Sequence, residues 1–197
     1  MKTTKLMAGL ALVASTLLTT APVLAQDQTN TSTAQLTVEP GVRNINKVPT
    51  LDFDKVQVSG DIAVTPINNP EGIELSDYTG SLSGWTLNVK RSAFTATINS
   101  DTATLDGVTL KLTGGSFGQS DDVADTTKDT VTANVELGTV DTNATVATAG
   151  KGTGTGSTTI NYTGATLDLP ETITKGKVKA GSYTSTLTWT LTDAPTD

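Results

Sequence analysis

From Tyr183 to Thr192 the chain alternates without a break: Tyr183, Ser185, Leu187, Trp189 and Leu191 share one parity, and Thr184, Thr186, Thr188, Thr190 and Thr192 share the other. A period of two puts successive side chains on opposite faces of a strand, so the segment predicts a β-strand with one largely apolar face and one hydroxylated face. The same rule holds over Trp85, Leu87 and Val89; over Val108, Leu110 and Leu112; over Val131, Ala133, Val135 and Leu137; and over Ala165, Leu167 and Leu169. Shorter candidates surround Leu36 to Val38, Leu51 to Phe53, Val56 to Val58 and Ile73 to Leu75.

Beyond the first residues, no long stretch spaces its apolar residues three and four apart. Threonine, with 41 residues, is instead the commonest punctuation of the pattern, and its branched Cβ suits a pleated surface. Gly, Asn, Asp and Pro clusters interrupt the chain at short intervals. The expectation is an all-β chain of roughly eight to ten strands, folded as a single antiparallel β-sandwich-like domain, with a β-barrel as the alternative. The polar segments Gly114 to Asp129 and Ala147 to Thr159 are expected to be surface loops.

The start of the chain follows different logic. Lys2 and Lys5 precede an apolar run from Leu6 to Leu18 that is short for a bilayer span, and Val23 and Ala25 place small residues ahead of polar Gln26. Residues 1–25 are therefore expected to be a cleaved secretory signal peptide, residues 26–34 a flexible leader, and residues 35–197 one domain with no membrane span in the mature chain. There is no cysteine, which excludes disulfides and thiol chemistry.

Charge narrows the partners. The whole chain carries a net charge of −7. Two of its basic residues, Lys2 and Lys5, lie in the expected signal peptide, so the remainder is more acidic still. No basic cluster offsets this, and nucleic acid is excluded as a partner because its phosphates would be repelled. Phosphate-bearing wall polymers would be repelled in the same way, and the repulsion would fade toward the pI of about 4.5. With neither histidine nor cysteine, the usual bases and nucleophiles are missing, and no pair among the 20 acidic residues stands out, so the chain is expected not to be an enzyme.

No cofactor or metal is expected. Asp121, Asp122, Asp125 and Asp129 do not follow the alternate ligand spacing of a calcium loop. Gly150, Gly152, Gly154 and Gly156 are followed by strand-like residues rather than by the helix a phosphate-cradling loop requires, and read as a flexible hairpin connection.

The chain's two tryptophans stand in tripeptides of one form, Trp85-Thr86-Leu87 and Trp189-Thr190-Leu191, both inside strand-like runs. Around them lie Asp77-Tyr78-Thr79-Gly80, Gly84, Phe94, Thr109-Leu110-Lys111-Leu112, Ala149-Gly150-Lys151-Gly152-Thr153-Gly154, Leu167-Asp168-Leu169-Pro170 and the closing run from Ala180 to Pro195. In this ordered set the chain resembles the WxL domain family of Gram-positive cell-surface proteins, over about residues 34–197. The resemblance implies a secreted protein retained at the cell wall by non-covalent attachment to peptidoglycan. It also implies company: other surface proteins of the same complex, on which docking would be the alternative to direct wall contact.

The motif residues Trp85, Thr86, Leu87, Trp189, Thr190 and Leu191 are the candidate wall-binding set. Tryptophan can stack on sugar rings, but both residues share a strand face with leucine and so read as core. Recognition would then fall to the hydroxyl and amide face and to nearby turns, with Asp77, Tyr78, Asn88, Lys90 and Tyr162 as possible surface contacts, Tyr78 and Tyr162 as exposed platforms.

Overall fold

The computed structural model describes residues 28–58, 62–121 and 129–194. The expected signal peptide lies outside them. The chain divides into two units, residues 1–37 and 38–197. Within the first, residues 28–37 form no secondary structure and are exposed throughout.

The second unit holds fourteen strands and one helical turn among the described residues. The first strands are β1 (Arg43–Lys47), β2 (Ile67–Asn68), β3 (Ile73–Asp77) and β4 (Trp85–Arg91). Then come β5 (Phe94–Ile98), β6 (Asp101–Leu105), β7 (Thr109–Thr113), β8 (Ser116–Ser120) and β9 (Thr130–Val131). The chain continues through β10 (Asn134–Leu137), β11 (Ala144–Ala149), β12 (Gly156–Asn161) and β13 (Gly164–Asp168). It ends with α1 (Glu171–Thr174) and β14 (Leu187–Asp193).

All pairings between these strands are antiparallel. They make three four-stranded sheets, ordered β1-β3-β12-β8, β10-β7-β13-β2 and β14-β4-β11-β9, plus the β5-β6 hairpin. No sheet closes into a barrel; the arrangement is all-β and sandwich-like. The three larger sheets turn their apolar parities onto one core, with Ile73, Leu75 and Ile160 from the first, Leu110, Leu112, Val135, Leu137 and Ala165 from the second, and Trp85, Leu87, Val89 and Val146 from the third. Burial along β4 and β7 alternates at the period of two that their sequences carry.

Several expectations need correction. Leu36 to Val38, Leu51 to Phe53 and Val56 to Val58 form no strand. Gly114 to Asp129 is not simply a loop, because β8 lies within it, and Ala147 to Thr159 contains the end of β11 and the start of β12. The Gly150–Gly156 connection is not a hairpin: β11 and β12 belong to different sheets, and the loop carries the chain from one to the other.

Candidate functional site

Gly84 sets the entry of the first motif. Its φ is +73°, and a Cβ built there would stand 2.3 Å from the Ala149 carbonyl oxygen, so only glycine lets the chain turn tightly against β11 and direct Trp85 inward. Trp85 is buried to 1% exposure, and its indole Nε1 donates to the carbonyl oxygen of Gly154 at 2.9 Å. The sheet-crossing glycine loop therefore accepts the motif tryptophan. Leu87 and Val89 follow on the same face, fully buried.

Although about a hundred residues apart in sequence, the two motifs are neighbours in one ladder. β14 pairs with β4 so that Leu191 faces Leu87, Trp189 faces Val89, Thr190 faces Asn88 and Thr192 faces Thr86. Trp189 points inward and packs against the core, but it is only half-buried. Ordinary cross-strand contact of apolar side chains on one face joins the motifs.

The opposite face is a grid of hydroxyls and one amide. Register aligns Thr130, Thr148, Thr86 and Thr192 across all four strands, and beside them Thr145, Asn88 and Thr190 across three. Thr130 and Thr148 share a hydrogen bond at 2.8 Å, Thr145 donates to Asn88 Oδ1 at 3.0 Å, and Thr192 donates to the Thr86 carbonyl at 3.4 Å. Thr86 Oγ1 is buried with no partner among the described residues. Lys90, opposite Thr188, reaches Asp141 at 3.8 Å.

At the end of the ladder Arg43 fastens four elements. Its guanidinium donates to Asp77 Oδ2 at 2.9 and 2.7 Å, to Asp193 Oδ1 at 2.6 Å and to the Gly84 carbonyl at 3.0 Å. Asp77 Oδ1 accepts the Thr79 hydroxyl and amide, and Ser83 donates to Asp193. Burial alone would raise the Asp77 carboxyl. The two Thr79 bonds and then Arg43 outweigh it and hold the group below the usual carboxylate range. Asp193 is likewise held low, by Arg43 first and Ser83 second. Asp77 is 5% exposed and so is a structural anchor rather than a surface contact.

The two proposed tyrosine platforms separate. Tyr78 is 56% exposed, its hydroxyl within 3.2 Å of Ser157 Oγ. Tyr162 is not a platform: it is buried, its ring closes over Gly115, and its hydroxyl donates to the Thr132 carbonyl at 3.1 Å. Burial pushes its phenol up from the ordinary value.

Arg91, at the far end of β4, escaped sequence reasoning. It is 2% exposed, and its guanidinium donates to the carbonyls of Leu137, Val108, Gly138 and Ser92 while lying 5.5 Å from the Phe94 ring centroid. No carboxylate pairs with it among the described residues. The only sequence signal was its parity, which places a cation on the apolar face of β4.

Of the four aspartates weighed for a cation, Asp122 and Asp125 lie outside the described residues. Asp121 accepts the Ser157 amide at the start of β12, and Asp129 accepts the Gly150 amide and the Thr153 hydroxyl, bracing the loop that leads into it. Among the described residues no helix is long and apolar enough to cross a membrane.

No curated protein and no solved structure matches the chain. A family model does: that of the WxL domain, described as surface cell wall-binding, over residues 11–195. That match covers nearly the whole chain, and its two namesake tripeptides lie side by side in a single sheet, so this chain belongs to the WxL family of surface cell wall-binding domains.

Proposed function

We propose that this protein is exported by its first 25 residues and attaches non-covalently to Gram-positive peptidoglycan through the outward face of the β14-β4-β11-β9 sheet. The observation that carries the reading is the two-row grid of Thr130, Thr148, Thr86 and Thr192 beside Thr145, Asn88 and Thr190, on the sheet that bears both motifs. Glycans present hydroxyls and N-acetyl groups that exchange hydrogen bonds with such a face. The grid is uncharged, so contact does not require a buried carboxylate or ammonium to lose its water. It is also pre-formed, held in register by the ladder beneath it, which limits the ordering cost of binding.

In this reading the tryptophans shape the sheet from behind, and the attachment is direct. Binding of the purified protein to sacculi stripped of proteins and wall polymers tests it. Saturable retention is the expected result; retention only when other surface proteins are restored would show that the wall contact is indirect.

A further inference from the structure

The outward grid leaves the other side of β14 unexplained. β14 is the outermost strand of its sheet. The backbone bonds Ser92 to Thr186 and Ala194 to Gly84 fix the phase of its ladder: Thr188, Thr190 and Thr192 turn their N–H and C=O groups toward β4, and Leu187, Trp189 and Leu191 turn theirs away. Leu187 and Trp189 also line a cavity of about 1030 Å³, together with Leu51, Phe53, Phe94 and Leu105. Across that cavity, residues 48–58 form no strand and make no hydrogen bond to other described residues. Unlike the indole of Trp85, that of Trp189 donates to no protein group among the described residues. An apolar slot bordered by an unpaired strand edge is the geometry that accepts an added strand.

We infer that this slot receives residues Ala34–Val38 of a second copy of the chain, as a strand added beside β14. The slot selects for alternating apolar side chains, and Ala34, Leu36 and Val38 alternate with Gln35 and Thr37. Leu36 and Val38 are 86% and 82% exposed. Charge does not oppose it: Asp52 and Asp54 in the slot are matched by Lys55 and Lys179, and residues 28–38 carry no charged side chain, so the run brings no uncompensated charge into an apolar slot.

The contact joins two different surfaces, so repeating it gives rings or open rows of copies rather than a two-fold dimer. It uses the inward side and edge of β14 and leaves the hydroxyl grid free, so it does not depend on the mode of wall attachment.

Light scattering and sedimentation of the protein recovered from the cell surface test the inference. The expected result is concentration-dependent assembly, abolished by the double substitution Leu36→Asp with Val38→Asp at an unchanged melting temperature, since both side chains are exposed. A synthetic peptide spanning residues 31–39 should dissociate the wild-type assembly and bind the double variant one to one, slowing amide exchange at Leu187, Trp189 and Leu191. A wild-type chain that stays monomeric at every concentration, assembly that survives the double substitution, or protection confined to amides away from β14 would each overturn it.

Discussion

Trp85 and Trp189 occupy the same tripeptide, but their indoles meet different surroundings. One is enclosed, with its N–H bonded to Gly154; the other stands half-buried at the edge of a cavity. Trp85→Ala is expected to cost about 3–5 kcal/mol, the range for emptying a large aromatic site in a packed core. Trp189→Ala should cost less, because part of its surface stays in contact with water. Denaturant midpoints of the two variants decide it; equal losses would contradict the asymmetry. Parity told which face each tryptophan occupies. It did not tell how deeply each is covered, since that depends on residues 48–58, whose alternation finds no pairing partner. Asp77 was misjudged for a related reason: its counter-charge, Arg43, comes from 34 residues upstream, with no local signal.

β4 owes its central place to having neighbours on both sides and a buried cation at one end. Arg91 donates to the carbonyls of Leu137, Gly138 and Val108 at the margins of other strands and to that of Ser92, which also accepts from the Ser185 hydroxyl. Arg91→Ala should cost on the order of 3 kcal/mol, the loss of charge-assisted bonds and the stranding of acceptors together. Arg91→Lys should recover little of it, because a single ammonium cannot span the fork. A lysine variant with the wild-type unfolding midpoint would contradict this role. Elements of this kind were legible in proportion to their alternation. β4, β7 and β13 follow it closely, whereas β14 starts only at Leu187, four residues after the alternation begins at Tyr183, where the chain makes an isolated bridge from Thr184 to Thr95 instead. β8, Ser116–Ser120, has one large apolar residue and was taken for loop. The β5-β6 hairpin turns at Asn99 and Ser100, both at positive φ, a turn signal that the alternation of Phe94, Ala96 and Ile98 could have flagged. The Val131 to Leu137 run was read as one strand, but it is split between two sheets, because sequence period fixes a face and not a partner.

At the scale of the molecule, acidity sets a window for attachment. The pI near 4.5 means that repulsion from wall phosphates weakens as pH falls from neutrality or as salt rises, so retention on intact walls should strengthen toward that pH. The fold limits the gain. Asp77 and Asp193 titrate lower in the folded chain than the ordinary value near 4 of an unfolded carboxylate. Their contribution is therefore present above about pH 4 and is lost as pH falls through their folded values. Melting temperature should drop below about pH 4 in the wild type and drop less in Arg43→Met, which has already lost the clamp; identical acid profiles would remove Arg43 as the cause.

The account rests on the outward grid as the wall-contacting surface, and the paired substitution Asn88→Ala with Thr190→Ala tests it most directly. Both side chains lie on the solvent side of the motif strands, so the variant should melt with the wild type while its retention on stripped sacculi falls at least tenfold. Unchanged retention by that folded variant would contradict the account and move recognition to another surface.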